Sequence, residues 1–155
     1  MISLHSIPSS PAAYFMGDPD RGDGGNEHAD SRPEKGIASR RVLIVEDEFF
    51  ISLNTELMLE DLGHFVVGTA VSADEAVRIA EFERPDIILM DIRLIGPRDG
   101  IEAATEIHHR FGIGSIFITA NADPMTRQRA LAAHPRGFIE KPLTQLRLRD
   151  ALNGS

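Results

Sequence analysis

The sequence has no cysteine. That excludes disulfides and thiolate metal sites, and it allows a reducing compartment; the expected location is the cytoplasm. No apolar run approaches the roughly 20 residues that a membrane-spanning helix requires, so no membrane association is expected. Positive charge is in short supply: 16 Lys+Arg against 24 Asp+Glu leave a formal net charge of -8, which argues against direct binding to nucleic acid. Lysine is scarcer still. Beside 14 arginines there are two lysines, Lys35 and Lys141, and after the first forty residues Lys141 stands alone. A compact ammonium where the chain otherwise uses planar guanidinium groups is a pointer to a specific site, although composition bias explains it about as well.

What is present is enough chain, 155 residues, for one domain with a substantial core. Residues 1–40 carry Pro, Ser, Gly and Asp without periodicity and read as a disordered leader. From residue 41 the pattern changes. Val42-Leu-Ile-Val45 is a buried strand ending in Glu46-Asp47-Glu48. The next segment reads as a helix with Phe50, Leu53 and Leu57 at helical spacing, stopped near Gly63. Phe65 to Ala70 is a second strand. Ser72-Ala-Asp-Glu75 is a capping-box pattern, opening a helix whose inner face is Ala73, Ala76, Val77 and Ala80. Ile87 to Met90 is apolar without alternation, as in a strand covered on both faces, and Asp91 ends it. A helix from Ile101, a strand Ser115–Ala120, and Asp123-Pro124 as N-cap and first helical position follow. A weakly apolar helix comes next, then a short strand Gly137–Pro142. A last helix turns Leu143, Leu146, Leu148 and Leu152 inward. Strand and helix alternate five times, which predicts a five-stranded parallel sheet with helices on both faces.

Parallel strands bring their C-terminal ends to one edge. Glu46, Asp47, Asp91, Thr119 and Lys141 should therefore share one shallow crevice. Singly, each has a plain explanation: a solvated turn, a helix N-terminus favouring acids, a β-branched strand residue, an ordinary Lys-Pro. Together they are unfavourable for stability, because adjacent carboxylates repel. A divalent cation removes that difficulty, and an oxygen-only ligand set suits Mg²⁺. A phosphoryl group on Asp91 would find its charge met by Mg²⁺, Lys141 and the Thr119 hydroxyl. The six histidines offer no metal site; His108 and His109 are helix neighbours that diverge, and His64 and His134 read as helix-end residues.

Val45-Glu-Asp-Glu48, Asp86-Ile-Ile-Leu-Met-Asp91, Ile118-Thr-Ala120 and Glu140-Lys-Pro142, in this order, resemble the receiver domain of two-component response regulators. The resemblance covers about residues 41 to 153 and assigns 41–155 to one receiver domain. It implies a (βα)5 flavodoxin-like fold and phosphoryl transfer to Asp91 from a sensor histidine kinase or histidine phosphotransferase. It further implies Mg²⁺ held by Asp47, Asp91 and the backbone carbonyl of Arg93, with Glu46 acting through water. Lys141 would pair with phosphoryl oxygens, Thr119 would be the switch hydroxyl, and Phe138 the aromatic that moves with it. Pro142 would follow a cis bond. Glu46 stands where aspartate is commoner, and Gly100 is displaced by one residue in the loop after Asp91. The form Arg93-Leu-Ile-Gly-Pro-Arg-Asp-Gly100 looks like receivers that partner HWE-type kinases.

No output domain is expected after the last helix, so signalling would run through a protein-binding surface. The last two helices and fifth strand, with Arg127, Arg129, Arg136, Arg147 and Arg149, are the expected partner or homodimer face, with a merely solvated face as the alternative. The chain is read as a signalling receiver rather than an enzyme. Two other readings remain: a hydrolase using a phosphoaspartyl intermediate, against which Arg93 occupies the position of its second acid, and a never-phosphorylated interaction module of the same fold.

Overall fold

Strand β1 (Arg41–Val45) is followed by α1 (Phe49–Asp61), β2 (Phe65–Ala70), α2 (Ala73–Glu83), β3 (Ile87–Asp91), α3 (Gly100–Phe111), β4 (Gly114–Thr119), α4 (Pro124–Ala132), β5 (Gly137–Glu140) and α5 (Gln145–Gly154). This is a computed structural model, and it describes residues 38–121 and 123–155. The leader read over residues 1–40 thus falls, up to residue 37, outside the described residues. Residues just before β1 are already tied to the domain: the Arg40 N–H donates to His64 Nδ1 at 3.2 Å, and the Arg40 carbonyl accepts from the Phe65 N–H at 2.8 Å.

The sheet is parallel, in the order β2-β1-β3-β4-β5. Strand order reverses at β1: the chain first steps outward to β2, then crosses to β3 on the other side. Open α/β sheets bind ligands at such a reversal, outside the C-terminal strand ends. The unalternating apolar runs have their reason here, since all of β3 and β4 and four residues of β1 are buried. Leu59 of α1 and Leu148 and Leu152 of α5 cover one face against Val42, Ile44, Ile87 and Leu89. Ala73, Ala76 and Ala80 of α2, Ile101, Ala104 and Ile107 of α3, and Ala130 of α4 cover the other against Leu43, Ile88, Met90 and Phe117.

Helix starts and stops are chemical. The Asp99 carboxylate and Glu102 form a complete capping box at α3, and Gly112 in the left-handed region ends it. Asp123 caps α4 with Pro124 in its first turn. At α2 the Ser72 hydroxyl accepts from the Glu75 N–H, but Glu75 reaches back to the Val71 N–H rather than to Ser72, so the expected box is half closed.

Packing departs from the sequence pattern at three places. Phe50, Leu53 and Leu57 do not face the sheet; α1 buries Ser52, Thr55 and Leu59 instead. The buried hydroxyls are satisfied within the helix, Thr55 Oγ1 on the Ile51 carbonyl at 2.8 Å and Ser52 Oγ on Phe49 at 3.3 Å. In α5, Leu148 and Leu152 are buried while Leu146 is exposed. His64 does sit at the end of α1, its N–H donating to the Leu59 carbonyl at 2.9 Å, but its ring is buried and accepts the Arg40 N–H, with Nε2 unpartnered among the described residues. The His108 and His134 rings lie against each other, with centroids 5.5 Å apart.

Candidate functional site

Val45 pairs with Met90 across β1 and β3, so Glu46 and Asp91 leave neighbouring strands side by side. Glu46 is 4% exposed; its Oε1 accepts the Glu48 N–H at 3.0 Å, which holds the turn into α1. Asp91 is also buried, and its Oδ1 accepts the Arg93 N–H at 2.9 Å. Carboxylate oxygens of Glu46, Asp47 and Asp91 lie within 4.8 Å of one another.

Lys141 is the first residue past β5. Its N–H donates to the Thr119 carbonyl at 2.8 Å, which fixes where its side chain departs. Its Nζ donates to Asp91 Oδ2 at 2.8 Å and to Glu46 Oε2 at 3.3 Å. The Lys141–Pro142 peptide bond is cis. Thr119 closes β4, buried, one residue beyond the Ile118 that pairs with Asp91. Phe138 is half-buried: its ring stacks on Phe117 with centroids 5.7 Å apart, and the Arg127 guanidinium lies 5.1 Å above it.

The electrostatics follow from crowding acids in a dry place. Burial raises the pKa of Glu46; the Glu48 N–H pulls it down, the Asp91 charge raises it and Lys141 lowers it, and the outcome is pushed up to about 7. For Lys141, burial opposes the charge, but the hydrogen bond and charge of Asp91, then those of Glu46, more than offset it, so its pKa lies above the ordinary lysine value. Three carboxylates against one ammonium leave an excess of negative charge, and a hard divalent cation with oxygen ligands matches both the donor atoms and the deficit.

The chain after Asp91 is held close. The Gly100 N–H returns to the Ile92 carbonyl at 2.9 Å, and a Cβ on Gly100 would overlap the Asp91 carbonyl oxygen. Glycine is required by that approach, whatever its spacing from Asp91 in sequence.

The structure thus brings Glu46, Asp47, Asp91 and Lys141 together, with Thr119 at the end of the adjoining β4, Arg93 two residues past Asp91 in the loop after β3, and Phe138 on the edge strand β5. One feature escaped the sequence reading. Phe49, Phe50, Leu53 and Leu57 are 69%, 82%, 39% and 56% exposed, forming an apolar outer face on α1. A groove of about 520 Å³ runs from this face, past Phe50 and Asn54, to Lys141, Pro142 and Leu143. Ile95 and Met125 add exposed apolar side chains on the loop after β3 and at the start of α4. The readable signal was Ser52 and Thr55: hydroxyl residues on one helical face, opposite large apolar ones.

Comparison with known proteins gives a consistent result. Residues 42–153 match the response regulator receiver domain. The chain is 37% identical over 105 residues to the transcriptional regulatory protein PdtaR of Mycobacterium tuberculosis, covering 68% of this chain and 51% of that protein. It is 44% identical over 103 residues to the phyllosphere-induced regulator PhyR of Methylorubrum extorquens, covering 65% of this chain and 38% of that protein. The chain therefore spans about half the length, or less, of these curated relatives. Among solved structures, the signal receiver domain of a modulated diguanylate cyclase from Desulfovibrio desulfuricans superposes with a TM-score of 0.71 at 38% identity, over 74% of this chain and 91% of that one. PhyR from Brucella abortus superposes with a TM-score of 0.63 at 37% identity, over 76% of this chain and 47% of that one.

Proposed function

The chain belongs to the response regulator receiver domain family, and from that premise we propose that it accepts a phosphoryl group on Asp91, with Mg²⁺, from a phosphohistidine of a sensor histidine kinase or histidine phosphotransferase. It then signals by phosphorylation-dependent binding of another protein, and its chemistry is confined to its own phosphorylation and dephosphorylation. The observation that carries this reading is the Lys141 ammonium bonded to both Asp91 and Glu46 at the edge of a three-carboxylate cluster.

Mg²⁺, when bound, supplies the charge that phosphoryl oxygens and carboxylates both need. Asp47, Asp91 and the Arg93 backbone carbonyl would hold it directly, and Glu46 through water. A carboxylate oxygen of Asp91 attacks phosphorus; the new O–P bond forms as the N–P bond to the donor imidazole breaks, and the imidazole nitrogen keeps the electron pair. Lys141 transfers its hydrogen bond to a phosphoryl oxygen. The Thr119 hydroxyl donates to another, and the space it vacates lets the Phe138 ring turn away from Phe117. Driving such an equilibrium from mostly off to mostly on takes roughly 5.5 kcal/mol of differential interaction, within reach of several charge-assisted hydrogen bonds.

A protein donor is supported by the α1 outer face and the groove that leads from it to Lys141. Exposed apolar side chains around a charged centre exclude water only when another macromolecule covers them. On the downstream side, α4, β5 and α5 present Arg127, Arg147 and Arg149, all exposed and none deeply paired. That is the surface we assign to the output partner or a second copy.

Intact-mass measurement after incubation with Mg²⁺ and acetyl phosphate tests the reading. One labile phosphoryl adduct is expected, absent in Asp91→Asn and absent when EDTA removes the metal. Steady turnover of phosphate esters would point instead to a hydrolase. No adduct from any donor would leave only an interaction module.

A further inference from the structure

The loop between Asp91 and α3 has to hold a shape, because it carries the Arg93 backbone beside the reactive carboxylate. Its base is closed by backbone bonds from Ile92 to Ile118 and from Gly100 to Ile92. Its tip bends at Gly96, which has φ 120°, and Ile95 there is exposed. Between tip and base stands Arg98. Its guanidinium reaches away from the site: Nη1 donates to Asp74 of α2 at 2.9 Å and Nη2 to Glu106 of α3 at 2.6 Å. Glu106 in turn accepts from Arg110 at 2.9 Å, and Arg110 donates to Glu81 of α2 at 3.1 Å. One arginine on a loop is thus locked to two helices at once, by a planar fork whose two sides address different carboxylates.

We infer that Arg98 is a positioning residue for the metal and phosphoryl site. It fixes the β3–α3 loop to α2 and α3, so that the Arg93 N–H stays on Asp91 Oδ1 and the Arg93 carbonyl stays available to the cation. The inference rests on the proposed function only for its metal readout; the loop-holding part stands on the contacts alone. Arg110 provides the internal control. It joins the same chain of charges and also bridges α2 to α3, but it does not touch the loop.

The test uses the full chain with Arg98→Met, Arg98→Lys and Arg110→Met. Metal-free protein is first followed by amide hydrogen exchange, and Mg²⁺ affinity is then measured by calorimetry. Arg98→Met should speed exchange at Ile92 and Arg93, the loop amides that donate to Ile118 and Asp91, and leave α3 protected. It should also weaken Mg²⁺ binding, by up to about tenfold, because Arg98 acts on the Arg93 carbonyl through the loop backbone and does not bond a ligand itself. Arg98→Lys should recover part of both effects, since an ammonium can satisfy one carboxylate well but not two in the fork geometry. Arg110→Met should change neither. Equal effects from Arg98→Met and Arg110→Met, or unchanged loop exchange in Arg98→Met, would overturn the inference. If the wild-type chain takes up no phosphoryl group, the proposed function fails, while the metal-free exchange still decides the part played by Arg98.

Discussion

At the scale of single residues, the site is a problem in crowding that the fold does not solve alone. Glu46 is buried beside Asp91, and its pKa is pushed up to about 7. The sign of the consequence is fixed. A carboxyl whose folded pKa lies above its unfolded value holds its proton more tightly when folded, so the metal-free protein loses stability as pH rises from about the ordinary glutamate value through about 7. Glu46→Gln removes that loss. The variant should be more stable than wild type at pH 8, by roughly 1–3 kcal/mol, and nearly equal at pH 5, as read by urea unfolding in EDTA. Saturating Mg²⁺ should narrow the gap by stabilising the wild type. Gly100 makes a complementary case, in which backbone rather than charge is limiting. Because a Cβ there overlaps the Asp91 carbonyl, Gly100→Ala should cost about 1–3 kcal/mol in the same assay and slow phosphoryl uptake. Stability and uptake both unchanged would mean that the loop relaxes freely.

At the scale of elements, α1 separates what the pattern in a sequence can say from what it cannot. Phe50, Leu53 and Leu57 have the spacing of a core face, yet the buried residues are Ser52, Thr55 and Leu59. Apolar residues lie on both sides of this helix, so spacing alone cannot choose which side meets the sheet. The choice falls to small side chains whose hydroxyls bond back to helix carbonyls and allow close approach. A pair of substitutions checks the assignment. Leu59→Ala should destabilise by about 2–5 kcal/mol, since it empties a fully buried position, whereas Leu57→Ala should change stability by no more than about 0.5 kcal/mol. Phe50→Ser should likewise leave stability and labelling by acetyl phosphate intact, while slowing transfer from a phosphorylated protein donor at least tenfold. If both donors are affected alike, the α1 face has no part in donor docking. By contrast α2 was legible from its Ala-rich inner face and the Ser72 cap, whereas α4 buries only Ala130 and was legible chiefly from Asp123-Pro124 at its start.

At the scale of the molecule, the order of strands does the functional work. The three central strands were readable because Val42–Val45, Ile87–Met90 and Ile116–Ile118 are apolar on both faces, which is what a sheet covered by helices on each side requires; the edge strands β2 and β5 are only partly buried and carried a weaker signal. The polar ends of these three were readable for the same reason, since Glu46-Asp47, Asp91 and Thr119 each close an apolar run; Lys141 follows the exposed Glu140 on an edge strand and stood out only by the scarcity of lysine. Distances were not readable. Nothing along the chain says that Lys141 bonds Asp91 across 50 positions and Glu46 across 95; that follows only once β1 lies between β2 and β3 and the sheet ends with β5. Nor could the chain order reveal that Arg98 reaches to α2 and Arg129 to Asp99 at 2.7 Å, tying the loop after Asp91 to α4.

The central claim is that the Asp91 carboxylate carries phosphorus. Borohydride reduces an acyl phosphate to an alcohol and leaves free carboxylates untouched, so it marks the bonded residue permanently. The protein is labelled with acetyl phosphate and Mg²⁺, reduced, digested and mapped by peptide mass. The account predicts homoserine at position 91 and nowhere else, dependent on Mg²⁺ and strongly diminished in Lys141→Met. Conversion at Asp47 or Glu46, or none at any position in protein that has taken up phosphate, would contradict it.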